Sequence, residues 1–409
     1  MNLKVFDIGR VRGEFRILRR GIRGEPLVYL DSAASALKPV PVIERLVQYY
    51  SYETANVHRG AHFLAELGTI AYEDARSTVR DFMHAKHAHE IVFTKGTTES
   101  INLVAQSFGR RFFNKGDEII LSELEHHSNI VPWQLIAEEK GCKIKVIPIT
   151  DSGDLDFQKF TELLSPKTKM VALTGCSNVL GTYVDVEKYV EAAHRVGAKV
   201  LIDGAQRIAQ APTDVQKMNC DFFVFSGHKI FGPYGIGVLY AKEDLLETMP
   251  PYQGGGSMIS EVTWERTTWA ALPHKFEAGT PPIAGALGLA AALRYVKSLG
   301  FSEIIEHEHQ ILEYARTQLS NIPGITIYGR PVQQAPILSF NLHGAHASDV
   351  GALLDQQGIA IRTGHHCCQP LMRRLGVSGT ARASFSIYNT KQEVDVLREG
   401  LLKAQGIFS

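Results

Sequence analysis

Between residues 66 and 240 short apolar runs alternate with stretches of helical length, and this rhythm limits the fold more than any other feature of the chain. The runs cover 90–94, 118–123, 143–149, 169–175, 199–205, 221–227 and 235–241. Most are apolar on both faces, as strands between two layers of helices must be. The pattern predicts an α/β fold with a mostly parallel sheet of seven strands covered by helices. The last link departs from it. Only a polar turn with Gly232, Pro233 and Gly235 separates Phe225 from Ile236, too short for a crossover helix, so the seventh strand is expected antiparallel to the sixth.

On either side the pattern is looser. Residues 1–20 read as a short amphipathic helix around Val11, Phe15, Ile17 and Leu18, with a turn at 21–26. The small-residue loop Asp31-Ser32-Ala33-Ala34-Ser35 would let a ligand or backbone approach closely. After helical patterning at 40–52, the loop Asn56-Val57-His58-Arg59-Gly60-Ala61-His62 holds more cationic chemistry than a connector needs; a solvated loop is the competing reading. The glycine run 254–258 reads as a mobile loop, and a helix at 283–297 closes the unit. The remainder reads as α+β: a helix at 303–319, a strand at 337–342, a helix at 348–356, strands at 358–362 and 383–388, and a final helix. Thr390 and Glu393 form a capping box that fixes where that helix starts. The expected division is a large unit, 21–297, and a smaller one built from 1–20 and 298–409.

Composition mainly excludes. With 43 basic and 43 acidic side chains there is no basic field for nucleic acid and no acidic tail. No apolar run is long enough to span a membrane, and the arginine-rich start resembles neither a secretory signal nor a transit peptide. Five scattered cysteines are too few for a disulfide framework, which points to a reducing, cytoplasmic setting.

In a parallel sheet the carboxyl ends of the strands share one edge, so their chemistry converges. After the first run, Lys95-Gly96-Thr97-Thr98-Glu99 enters a helix, where hydroxyls at a helix start suit a phosphate, although they are also ordinary caps. The second ends at Glu125-His126-His127, an imidazole able to stack on a planar ring; metal binding is the rival reading and needs other ligands. The fifth ends at Asp203-Gly204-Ala205-Gln206. A carboxylate there is costly unless it meets a cation such as a protonated ring nitrogen, with a capping role as the alternative. The sixth delivers Ser226, His228 and Lys229. A lysine at the mouth of a buried strand loses hydration, which frees its amine to condense with an aldehyde; a surface lysine is the plainer reading. Phosphate cradle, stacking ring, acid and amine together describe pyridoxal phosphate.

A second constellation is Arg362-Thr363-Gly364-His365-His366-Cys367-Cys368-Gln369-Pro370. Flanking imidazoles and a guanidinium would favour thiolate, as a nucleophilic cysteine requires. A zinc site is the weaker reading, because four consecutive potential ligands lack the spacer needed to wrap one tetrahedral ion. Arg382 could clamp a substrate carboxylate, against the commoner fate of a surface ion pair.

Taken together, Ser226-Gly227-His228-Lys229, Glu125-His126-His127, Ser177-Asn178-Val179-Leu180-Gly181, Asp203-Gly204-Ala205-Gln206 and Arg362-Thr363-Gly364-His365-His366-Cys367 resemble the motifs of a Suf-type (group II) cysteine desulfurase of the class V aminotransferase-like family. The similarity runs from about Leu30 to the C-terminus. The resemblance implies a fold-type I, pyridoxal-phosphate-dependent homodimer with Lys229 as covalent anchor and carrier of the substrate α-proton. It implies that Thr97, Thr98, Ser226 and His228 hold the phosphate with Thr280 of the partner subunit, that His126 stacks on the ring, that Asp203 pairs with its nitrogen and that Gln206 contacts its phenolic oxygen. Asn178 and Arg382, with Arg362 nearby, would hold the carboxylate of L-cysteine. Cys367 would take the sulfur as a persulfide, releasing alanine and passing the sulfur to a SufE- or SufU-like acceptor for iron–sulfur cluster assembly. Selenocysteine lyase, cysteine sulfinate desulfinase, a plain aminotransferase and a non-catalytic scaffold are the competing readings. One departure from the family pattern is Cys368, where alanine is usual; the second thiol could intercept the persulfide or simply fill the alanine's space.

Overall fold

The computed structural model describes residues 6–408, so positions 1–5 of the expected first helix and residue 409 lie outside the described residues. The central sheet comprises β1 (Ile91–Thr94), β2 (Glu118–Ser122), β3 (Lys143–Ile147), β4 (Thr168–Thr174), β5 (Lys199–Asp203), β6 (Phe222–Ser226) and β7 (Gly237–Ala241). Its spatial order is β1-β7-β6-β5-β4-β2-β3. Strand β7 is antiparallel to both neighbours, and every other pairing is parallel, as the short turn before it requires.

Strand β6 shows why the sheet is sandwiched. Phe222, Phe223, Val224 and Phe225 are all at 0 % exposure. Phe223 and Phe225 join the larger apolar core on one face, while Phe222 and Val224 join the second core on the other. Each side chain so buried stabilises the fold by roughly 1.5–3 kcal/mol. Just before the strand, buried Asp221 is held by His194 at 2.7 Å and accepts the Val200 N–H at 2.8 Å, which fixes the start of the strand.

A second, antiparallel sheet contains β8 (Ile325–Tyr328), β9 (Ile337–Leu342), β10 (Arg362–Gly364) and β11 (Thr380–Ser384), in the order β8-β9-β11-β10. Helices Phe301–Ser320, Ala347–Asp355 and Lys391–Phe408 contribute Leu312, Leu354 and Leu397 to a third core against this sheet. The capping box forms: Thr390 N donates to Glu393 Oε2 at 3.0 Å and Glu393 N to Thr390 Oγ1 at 3.3 Å.

Three expectations need correction, and one strand was missed. The strand expected at 383–388 is Thr380–Ser384, because the Asn389 side chain takes the Ser386 N–H at 2.8 Å and turns the chain out of the ladder. The single strand expected at 358–362 is two pieces. Ile359–Ala360 pairs in parallel with Val28–Tyr29, and Arg362–Gly364 joins β11. Strand β8 was not visible in the apolar pattern, since no residue in it is fully buried. The described part of the first segment is broken into helix Ile8–Gly13 and a 3-10 turn Arg16–Arg19 rather than one helix.

Candidate active site

The carboxyl edge of the central sheet faces the β10–β11 end of the second sheet across a cavity of about 290 Å³. Its lining includes Thr97, Thr98, His126, Asn178, Asp203, Gln206, Ser226, His228, Lys229, Arg362, Cys367 and Arg382. Every candidate named from the sequence is there except Thr280, which is exposed and borders a separate pocket beside Thr94, Glu99 and Tyr252.

At one end of the cavity the helix Thr97–Val104 begins. Thr97 N donates to Ser226 Oγ at 2.8 Å, and the two hydroxyls lie 2.8 Å apart. The approach of this loop to the sheet depends on glycine in β7: a Cβ on Gly237 would lie 2.4 Å from Gly96 Cα. Two hydroxyls at the positive end of a helix form an anion cradle. His228 stacks on Tyr234 with centroids 5.3 Å apart, and its buried Nδ1 has no protein partner.

Asp203 ends β5 nearly buried, at 4 % exposure. Its Oδ1 accepts the Ala205 N–H at 2.9 Å, and among the described residues nothing bonds its other oxygen. Burial raises its pKa, against the pull of the Ala205 N–H and of Lys229. For Lys229 burial is again the main influence and lowers the pKa; Asp203 opposes and Arg382 reinforces the shift. His126 is pushed down to about 3 by burial, then by Lys229, His127 and Arg382, so it is a neutral ring. Its Nδ1 accepts the Ser128 N–H at 3.1 Å, which fixes the ring's orientation. Gln206 Nε2 donates to Ala33 O at 2.6 Å, tying the small-residue loop to the cavity wall.

An anion cradle, an orphaned imidazole nitrogen, a half-used buried carboxylate and a dehydrated amine in one cavity fit pyridoxal phosphate. Thr97, Thr98, Ser226 and His228, which could hold its phosphate, line the same cavity as Asp203 and Lys229, which could meet its ring nitrogen and its aldehyde.

The carboxylate end holds a residue that the sequence did not single out. Arg362 and Arg382 are direct cross-strand partners in β10 and β11, an arrangement of like charges that is unfavourable by itself. Asp31 resolves it. Arg362 Nε donates to Asp31 Oδ1 at 3.1 Å and Arg362 Nη2 to Oδ2 at 2.9 Å, while Arg382 Nη2 reaches Oδ1 at 3.2 Å. Arg382 Nη1 donates to Asn178 O at 2.8 Å, and its Nε is buried without a partner, a donor left for a ligand. The only sequence hint was the small-residue loop that Asp31 opens. Its partners are 331 and 351 positions away.

Cys367 is exposed at the cavity rim, in a loop where His366 and Cys367 hold φ of 52° and 55° in succession. Left-handed conformations in two consecutive non-glycine residues cost on the order of 1–2 kcal/mol each and must be held by neighbours. Asn178 Nδ2 donates to His366 O at 2.9 Å, and His127 N donates to Cys367 O at 2.7 Å. The flanking imidazoles do not serve the thiol as expected. His365 Nδ1 accepts the Cys367 N–H at 3.0 Å. His366 Nε2 meets Thr380, and burial pushes that histidine down to about 3, leaving it uncharged. The nearby fixed positive charge is Arg362, held protonated chiefly by Asp31.

The structure also separates the two adjacent thiols. Cys368 is at 0 % exposure, donates to Asn178 Oδ1 at 3.1 Å and is pushed up to about 12 by burial. It is absent from the cavity lining, which includes Cys367. Cys176, unremarked in the sequence, does line the cavity, but burial pushes its thiol up to about 12 as well. The cationic loop at 56–62 lies elsewhere. His58 meets Glu73 at 3.1 Å, and Glu73 and Glu277 are both paired with buried Arg76.

Comparison with known proteins agrees with this geometry. The aminotransferase class-V family model matches residues 28–397. The chain is 52 % identical over 392 residues to a probable cysteine desulfurase 1 of Mycobacterium leprae, covering 96 % of this chain and 64 % of that protein. It is 51 % identical to a probable cysteine desulfurase of Mycolicibacterium paratuberculosis, of which it spans 57 %. A cysteine desulfurase of Dickeya dadantii is 51 % identical, with 97 % of this chain and 96 % of that one aligned. Among solved structures, the cysteine desulfurase CsdA of Escherichia coli superposes with a TM-score of 0.93 at 41 % identity, over 99 % of this chain and 100 % of that one. With the family model matched over residues 28–397 and relatives about half identical over nearly the whole chain, although it spans less than two thirds of two of them, the chain belongs to the aminotransferase class-V family.

Proposed function

We propose that this protein is a pyridoxal-phosphate-dependent L-cysteine desulfurase of the Suf type (group II). The observation that carries the reading is that Lys229 and Cys367, 138 positions apart by subtraction of their numbers, line one cavity together with Asp203 and Arg382. Bound pyridoxal phosphate supplies an electron sink for the substrate α-carbon. Arg382, Arg362 and Asn178 hold the cysteine carboxylate, and Asp31 keeps the two guanidiniums side by side. Lys229, whose pKa burial lowers, is able to take and return the α-proton. His126, neutral and fixed by Ser128, would stack on the bound ring and shield it from water. Cys367 attacks the substrate sulfur: a new S–S bond forms, the substrate C–S bond breaks, and the pair of electrons left on carbon takes a proton to complete the methyl group of alanine. The exposed persulfide then passes its outer sulfur to a SufE- or SufU-like acceptor for iron–sulfur cluster assembly.

The assembly we propose is a homodimer, with Thr280 of the partner subunit completing the phosphate site. Its support is a stripe of exposed apolar residues, Phe63, Leu64, Leu67 and Ile70, on one face of the helix Phe63–Met83, together with exposed Tyr50 and Tyr52. A large unit at 21–297 and a small one at 1–20 and 298–409 form part of the same proposal; the separate core under the second sheet supports the 298–409 part, with Val28 and Leu30 added to it, whereas Val11 and Phe15 pack into the core of the central sheet. A cytoplasmic location agrees with five free cysteines, and no helix among the described residues is long and apolar enough to cross a membrane.

The test is mass spectrometry of the protein after addition of L-cysteine, expecting one extra sulfur on Cys367 and release of alanine. Turnover that survives in Cys367→Ser would favour a selenocysteine lyase or sulfinate desulfinase. Activity only with a keto acid present would favour an aminotransferase. A purified protein that stays colourless after adding the cofactor would favour a scaffold.

A further inference from the structure

The two histidines of the Glu125-His126-His127 turn lead to different places. His126 lines the cavity, whereas His127 is absent from its lining and meets the thiol loop at two points. Its peptide N–H donates to Cys367 O at 2.7 Å, and its Nε2 accepts the Gln369 N–H at 3.1 Å. Gln369 opens the short helix Gln369–Arg374, so its N–H is one of the donors that a helix start leaves without an internal partner. The His127 ring caps it from another part of the chain, 242 positions away. The ring also lies 5.6 Å from that of His365, whose Nδ1 receives the Cys367 N–H. Accepting through Nε2 requires an unprotonated nitrogen there, and burial together with His365 lowers the His127 pKa in that direction.

We propose that His127 is a positioning residue for the Cys367 thiol: it clamps the chain on both sides of that residue, at Cys367 O and Gln369 N, and so holds the left-handed His366–Cys367 pair with its sulfur at the cavity rim. His126 caps the 3-10 turn that His127 opens, so the residue that lines the cavity and the residue that meets the thiol loop are consecutive in the chain. The clamp rests on the desulfurase reading only for what the thiol does; its geometry stands apart from that chemistry.

The experiment compares the wild-type holoenzyme with His127→Leu, which removes the acceptor, and His127→Gln, whose amide oxygen restores one. Two quantities are read by mass spectrometry on the Cys367 peptide: sulfur captured in a single turnover from L-cysteine, and alkylation by iodoacetamide without substrate. In His127→Leu, sulfur capture is expected to fall about tenfold or more, since small misplacements of a reacting atom are costly. Alkylation is expected to rise about threefold as the loop opens. His127→Gln stays within about twofold of wild type in both readouts if the acceptor is what matters. The clamp is overturned if His127→Leu matches wild type in alkylation, or if His127→Gln fails as badly as His127→Leu. Should wild type capture no sulfur while alkylation still separates Leu from Gln, the desulfurase reading falls and the clamp stands.

Discussion

Lys229 and Asp203 reach the cavity from the ends of strands whose central side chains are wholly buried, whereas Cys367 reaches it from an exposed loop with two successive positive φ angles. The first half is held by sheet register and by two apolar cores, so its geometry persists as long as the fold does. The second half is held by hydrogen bonds from Asn178, His127, His365 and Thr380 and by the buried side chains of His366 and Cys368 on either side of the exposed thiol. The contrast suits the proposed chemistry, in which a fixed half serves cofactor and substrate while a half near solvent must give its sulfur away.

This contrast is most exposed to refutation at the fixed half. Lys229→Ala should lower cysteine turnover by about a thousandfold or more and abolish the visible absorbance of the purified protein, both measured on one sample. Cys367→Ser should leave that absorbance unchanged while sulfide release falls about a hundredfold, because the movable half alone has lost its nucleophile. At the carboxylate end, Arg382→Lys keeps the charge but loses the planar fork shared with Asp31 and Asn178; KM for cysteine should rise about tenfold, with a smaller change in kcat.

Next come the residues that resemble site residues but are placed as structure. Cys368→Ala should keep turnover within about threefold and cost roughly 1 kcal/mol of stability by urea titration, as expected for trimming a small buried side chain. A loss as large as that of Cys367→Ser would erase the distinction between the two thiols. The smallest effect is electrostatic. His366 has a folded pKa of about 3, below its unfolded value near 6.5, so its contribution to stability is fully present above about pH 6.5 and is lost as the pH falls toward 3. That loss amounts to at most about 1.4 kcal/mol per pH unit, and His366→Gln should flatten the change in urea midpoint between about pH 7 and pH 5. An equal slope in both proteins would mean that His366 is not buried as a neutral ring.

Much of the fixed half was legible from the chain alone. An apolar run followed by Ser226-Gly227-His228-Lys229, or by Asp203-Gly204-Ala205-Gln206, says where a strand ends and which side chains its end carries, because both facts are local. The absence of a crossover before Gly237 even gave the direction of the last strand. The chain also named Cys367, through its place in a motif, but not how it is held.

The rest emerges only in the folded chain, wherever a contact depends on distant segments or on a backbone turn that no local pattern dictates. Asp31 is unremarkable until β10 and β11 set Arg362 opposite Arg382 and leave two like charges in need of an anion. His127 and His126 look equivalent in sequence, and their roles part because one side chain faces the cavity and the other the loop. Cys367 and Cys368 are neighbours of the same chemistry, yet one is exposed and the other fully buried. The positive φ angles at His366 and Cys367 turn the chain there, and hydrogen bonds from the central sheet's edge loops sustain that turn; a sequence records neither the angle nor the bonds.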